Sequence, residues 1–254
     1  MKKIILHTLV ITGLSISSIN AQKATFDEKG FNMGIEIGIN GTFIIHQQTY
    51  SLTRLIPYTP SIRIAAGGLI GYNFSSTAGI AIGFGIAGAG QNYSDIQNGV
   101  TYTKSVTLDY TQVPIQFKYI YEDGSSHFYG MAGPQLGFLT SSSMTINGDS
   151  NFPKTINYVN GNNISPGMIP ITPKSTASSL FQKTDIGFRI DVGDDIELTD
   201  NLYLNVGLDA YIGFTDINIP DMRTTFRFGG ETYPYKASEN FITGIEAGIH
   251  YLIK

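Results

Sequence analysis

Apolar residues alternate one for one with small or polar residues through most of this chain, and that period of two limits the fold more than any other feature. From Phe31 the odd positions read Phe31, Met33, Ile35, Ile37 and Ile39, and the even ones read Asn32, Gly34, Glu36, Gly38 and Asn40. A helix would repeat every 3.6 residues, so this stretch is a strand with one apolar face. The pattern returns at Ile62, Ile64, Ala66, Gly68, Ile70, Tyr72 and Phe74, and again at Ile80, Ile82, Phe84 and Ile86. A fourth strand runs Val106, Leu108, Tyr110 and then changes phase to Val113, Ile115, Phe117, Tyr119 and Tyr121, a slip for which a β-bulge near Thr111 is expected. The fifth, 127–139, is apolar on both faces, holds Pro134 and is placed by position. Alternation at 186–192, 202–214 and 241–253 brings the number of strands to eight.

The connections alternate in length. Residues 75–79, 122–126 and 199–201 are short polar turns, whereas the segments after the first, third, fifth and seventh strands run from about 12 to over 40 residues. Short turns at one end, long loops at the other and an even strand count are the pattern of bacterial outer-membrane barrels. A strand of about 12 residues is ~40 Å long, and a tilt of ~40° leaves ~30 Å, enough for the ~25 Å apolar band. The expected fold is all-β: a single eight-stranded antiparallel up-and-down transmembrane β-barrel over residues 22–254, preceded by a cleaved signal peptide at residues 1–21.

The leader is read from Lys2 and Lys3, the mostly apolar run 4–16, and Ile19-Asn20-Ala21 before Gln22. Its apolar core of about 13 residues is short of the ~20 that a spanning helix needs. The rest of the chain holds no run of 18 apolar residues, so strands must do any crossing. Cysteine is absent, which removes disulfides, thiolate metal sites and a lipid-bearing cysteine. Without Lys2 and Lys3, 14 basic residues face 20 acidic ones, and no basic patch invites nucleic acid.

A soluble barrel would also alternate, so orientation rests on chemistry. Water-facing surfaces carry roughly 25–35% charged residues. Only 14% of this chain is charged, and the second face is mainly Gly, Ala, Asn and Thr. The apolar faces of the first, second, third, seventh and eighth strands carry no Lys, Arg, Asp or Glu. Lipid demands this, because Lys or Arg at the midplane costs ~2–4 kcal/mol. Tyr72, Phe74, Tyr119, Tyr121, Tyr129 and Tyr251 fall near strand ends, where girdles form. Asp194, which continues the apolar phase of the sixth strand, fits only at the interface. The apolar row therefore faces lipid of the outer membrane. The enclosed row holds Glu36, Arg63, Lys118, Asp185, Arg189, Asp191, Asp209, Glu246 and His250. Eight strands enclose little more than side chains, so a structural salt-bridge network is expected there, with a proton or ion path as the sharper alternative.

No residue pattern points to a catalytic, cofactor or metal site. Gly83-Phe84-Gly85-Ile86-Ala87-Gly88 matches G-x-G-x-x-G, but it lies inside a strand with no helix after it to hold a pyrophosphate. His46, His127 and His250 stand alone in sequence, and there is no G-x-S-x-G elbow. The loops are better placed for protein partners. Residues 141–183 read as a long irregular loop, and the alternation around Gly229-Gly230 reads as a hairpin.

Several stretches resemble the PorT-like outer-membrane β-barrel family of Bacteroidetes. They are Leu108-Asp109-Tyr110-Thr111-Gln112-Val113-Pro114-Ile115-Gln116-Phe117-Lys118-Tyr119, Tyr129-Gly130-Met131-Ala132-Gly133-Pro134-Gln135-Leu136-Gly137-Phe138, Asp185-Ile186-Gly187-Phe188 and Tyr211-Ile212-Gly213-Phe214-Thr215-Asp216-Ile217. The resemblance implies an eight-stranded outer-membrane barrel, and the founding type of that family is tied to protein secretion across the outer membrane. With no catalytic pattern in the residues, the expected function is that of a non-enzymatic structural or accessory component, with secretion or envelope assembly as the candidate setting. A narrow channel for small solutes or ions is the rival expectation. Arg189, Asp191 and the long fifth-to-sixth connection depart from the family pattern.

Overall fold

The computed structural model describes residues 29–46, 58–97, 99–123, 126–147, 153–159, 162–163, 180–220, 223, 226–228 and 231–253. The expected leader and the start at Gln22 lie outside them. Eight long strands form the wall: β1 (Gly30–Ile45), β2 (Tyr58–Asn73), β3 (Ala78–Gln97), β4 (Val100–Asp123), β5 (Ser126–Asn147), β8 (Thr184–Thr199), β9 (Leu202–Gly213) and β12 (Glu239–Ile253). Each pairs antiparallel with its neighbour, β1 joins β12, and β4 joins β5, so the ring is closed with no free edge. The remaining strands are short: β6 (Pro153–Val159) and β7 (Asn162–Asn163) extend beside β5, and β10 (Phe226–Phe228) pairs with β11 (Glu231–Tyr233) as the hairpin expected around Gly229-Gly230.

The apolar row lies outside. Ile35 is 72% exposed, Ile64 69% and Phe84 68%, while Asn32, Asn40, Gln116 and Asp191 on the other phase are buried. A water-soluble barrel would reverse these two rows, because monomers rarely expose contiguous apolar patches beyond a few hundred Å². Aromatic pairs mark the margins of the band: Phe31 with Tyr72 (4.7 Å) and Phe74 with Phe117 (6.3 Å) at the turn end, Phe43 with Phe241 (6.2 Å) at the loop end. Tyr129, placed in the girdle from sequence, instead turns inward and is 4% exposed, because it shares the phase of buried His127 and Met131.

Two further expectations are corrected. β4 has no phase change: its register with β3 is uninterrupted, and Val106, Leu108 and Tyr110 are buried inside the barrel while Ile115, Phe117, Tyr119 and Tyr121 face out. The apolar residues exchange sides because the upper lumen is itself apolar. The irregularity belongs to β5, where Thr140 is the extra residue between partners of Asp109 and Tyr110. The supposed loop 141–183 begins with strand, since β5 continues to Asn147 and β6 pairs back along it. At ~3.3 Å per residue, the 24-residue β4 is about twice as long as the 12-residue β9, so one side of the wall rises well above the other.

Candidate functional site in the barrel lumen

Inward positions of the eight strands fill the lumen in three levels. Nearest the short turns, Lys118 Nζ on β4 lies 2.6 Å from Asp195 Oδ2 on β8. Asn205 Nδ2 donates to Asp195 Oδ1 (2.7 Å), and Tyr129 OH donates to Asn205 Oδ1 (3.1 Å). The ammonium also sits over the rings of Tyr129 and Tyr203, 5.2 and 5.7 Å from their centroids. These contacts compensate a desolvated cation from several sides. Tyr203 in turn stacks on His250 at 5.1 Å.

The middle level centres on Arg189. Its Nε donates to Asp191 Oδ1 (2.7 Å) and its Nη2 to Glu246 Oε2 (2.6 Å). Gln116 Nε2 donates to the second oxygen of Asp191. Asp209 stands directly across from Asp191 in the β8–β9 register, and Glu36 Oε1 is 3.2 Å from His250 Nε2. A void of about 50 Å³ opens beside Glu36, Gln112, Gln116, Met131, Arg189 and Glu246.

The upper level is apolar. Ile44, Ala89, Tyr93, Val106, Leu108, Met144 and Ile242 from the wall pack with Leu180, Phe181 and Ile217 from the loops. Asp185 lies at its lower margin, accepting from Asn240 Nδ2 (2.8 Å), which also reaches Tyr110 OH (3.2 Å). The loop residues are tied by Gln182 N donating to Ile217 O (2.7 Å) and Ile217 N donating to Ser238 O (2.8 Å). Above them Asp216 accepts from Tyr235 OH (2.7 Å), Ser238 N (3.2 Å) and Asn218 N (3.1 Å), and pairs with Arg223 Nε at 2.8 Å. One carboxylate thus fastens two loop segments into a lid.

The structure brings Glu36, Arg189, Asp191, Asp209, Glu246 and His250 together, sets Lys118 below them with Asp195, and sets Asp185 above. Arg63 does not join them. The β2–β3 register shifts between Pro60 and Ala65, and the Arg63 guanidinium crosses Gly88 so closely that a Cβ there would collide with it. It pairs with Asp109, which also accepts from Ser141 Oγ (2.6 Å). Leu108 and Tyr110, the strand neighbours of Asp109, are buried, so Asp109 and its partner face outward. The bulge re-aims the side chain, which alternation alone does not reveal. Asp195 was missed by the sequence reading, yet continuing the inward row from Asp191 through Gly193 reaches it. Asp194 accepts from His127 N (3.1 Å) at the turn end of the wall, which is where a carboxylate on the outer phase is tolerable. Among the described residues no three His, Asp or Glu side chains converge to hold a metal ion.

A closed ring of eight tilted antiparallel strands, apolar outside and polar within, defines an integral outer-membrane β-barrel. The family described as "Outer membrane protein beta-barrel domain" matches residues 20–218, and the chain belongs to it. β12, which closes the ring against β1, lies beyond the matched stretch. No curated protein matches the sequence. Among solved structures the chain is similar to Neisserial surface protein A (11% identity, 89% of this chain and 98% of that one, TM-score 0.41). It is also similar to the outer membrane protein AlkL (13%, 93% and 97%, TM-score 0.39) and to OprG from Pseudomonas aeruginosa (11%, 89% and 97%, TM-score 0.38).

Proposed function

We propose that this outer-membrane protein is a sealed, non-enzymatic barrel that acts as a structural or accessory component and engages protein partners through its projecting loops. The observation that carries this reading is the filled lumen: among the described residues, paired charges at two levels and an apolar lid above them leave small voids of about 50 and 10 Å³. A liquid water takes ≈ 30 Å³, so voids of this size hold one or two waters each. The Lys118–Asp195 and Arg189–Glu246 pairs act as cross-braces between strands that are not neighbours in the ring. The resemblance of the Leu108 to Tyr119 and Tyr129 to Phe138 stretches to the PorT-like proteins supports a place in secretion or envelope assembly.

Reconstitution in planar bilayers tests the seal. The wild-type protein is expected to give no discrete conductance steps; steps that vanish in an Arg189 or Glu36 variant would replace this reading with a narrow channel. Affinity capture from membranes tests the platform, with the expected partner lost when the β5–β8 connection is shortened and the wall left intact.

A further inference from the structure

The middle level of the lumen is short of positive charge, independently of any role for the loops. Glu36, Asp191, Asp209 and Glu246 are contributed by four strands that are adjacent around the ring, β1, β8, β9 and β12. Against them stand one guanidinium, Arg189, and one imidazole, His250. The other ionisable groups facing this level are Lys118 from β4, already engaged by Asp195, and Tyr129 from β5. β2 and β3 present Gly67, Leu69, Ala81 and Gly83 to it. Even with His250 counted as a cation, two acids remain uncompensated. The outer side of this wall is hydrocarbon, and an unpaired carboxylate taken out of water neutralises itself instead of remaining ionised.

The hydrogen bonding shows the same excess of acceptors. Glu246 Oε2 has Arg189, but its Oε1 is buried with no hydrogen-bond partner. Asp209, 5% exposed, faces Asp191 across the register, and like charges directly opposite repel. Asn40 supplies an independent sign. Its side chain is 4% exposed, its Oδ1 has no hydrogen-bond partner, and that oxygen and Asp209 Oδ1 both press on the bare Cα of Gly244, where a Cβ would strike them. Both are acceptor oxygens crowded over one glycine, and neither brings a hydrogen of its own. A protonated Asp209 supplies it, as an O–H donor.

We propose that this level is a proton-binding site, in which Asp209 and Glu246 share at least one proton taken up when the barrel folds, with Asn40 accepting from Asp209. The ligand is a proton and not a metal ion, because the four carboxyls are strung along four strands and do not converge on a point.

Infrared difference spectroscopy on the protein in vesicles at neutral pH reads the protonated carboxyl carbonyl band directly, with hydrogen–deuterium exchange identifying it. The expected result is a band in the folded wild type that is lost in Asp209→Asn or in Glu246→Gln. A second reading follows from linkage. If the folded barrel holds a proton that the unfolded chain releases, stability falls as pH rises above the ordinary carboxylate value of ~4 relative to the substituted proteins. The difference in urea midpoint, wild type minus Asp209→Asn, should therefore decline as pH rises. Absence of the band in correctly folded wild type, or a band unchanged in both variants, overturns the proposal, as does a midpoint difference that rises with pH.

Discussion

Arg189 and Glu246 meet through Nη2 and Oε2 at 2.6 Å although β9 lies between their strands. Opposite Glu246, β9 presents Gly207, and the Tyr129 hydroxyl fills the space over that glycine. Removing one member of a buried pair leaves its partner desolvated and unmatched, at a cost of ~3–5 kcal/mol. Arg189→Met should lower the stability of the folded barrel by that order, seen in urea titration followed by heat-dependent gel mobility. Arg189→Met combined with Glu246→Leu should recover part of the loss. A double variant no better than the single one would show that the two side chains are not energetically coupled.

The outer face makes a separate claim. Ile82 and Val206 stand on opposite sides of the ring within the apolar band. Ile82→Lys or Val206→Lys is expected to cost ~2–4 kcal/mol and to block insertion into vesicles. Thr103→Lys, on the part of β4 that rises past the band beside Asn147, should insert normally. Equal insertion by all three proteins would reverse the assignment of faces.

Much of the wall was legible because strand alternation reports a two-sided environment directly, and lipid exposure forbids charge on one side. The apolar faces of β1, β2, β3, β9 and β12 could be read for that reason. What alternation does not report is which side an apolar row occupies once the lumen also contains apolar residues. Val106, Leu108 and Tyr110 therefore looked like a slipped outer row when they are the ceiling of the core. The polar row opposite them, Thr101, Thr103, Ser105 and Thr107, was the available signal. Arg63 was beyond reach for a different reason, since its outward turn depends on a bulge that follows from pairing and not from composition. The pairing of Lys118 with Asp195, 77 residues apart, needs the ring to be closed before it exists.

The lid makes a prediction that depends on pH. Tyr235 lies in the loop before β12, where burial and the Asp216 carboxylate beside it push its hydroxyl above the usual tyrosine range. A group raised in the folded state contributes stability that is complete below its unfolded value, ~10, and that is lost as pH climbs through the folded one. Protease nicking in the segment 214–220 should therefore increase above about pH 10 in the wild type. Tyr235→Phe should nick readily at neutral pH and lose that dependence. Asp216→Ala removes the acceptor shared by Tyr235, Ser238 and Asn218 and should nick faster still, with the gel mobility of the barrel unchanged.

Phe181 separates the lid from the seal beneath it. Its ring is 4% exposed among Ile44, Leu108, Ile217 and other members of the apolar level, so Phe181→Ala should cost ~3–5 kcal/mol locally. The cost falls on the loops, because the backbone bridge of Phe181 is to Asn218, itself a loop residue beyond β9. Rapid proteolysis around 180–183 is the expected result. Planar bilayers should nevertheless stay silent, since the Arg189–Glu246 and Lys118–Asp195 pairs lie below and do not depend on the lid. Conductance steps from Phe181→Ala alone would move the barrier from the charged levels to the ceiling, and with it the part of the molecule that keeps the outer membrane tight.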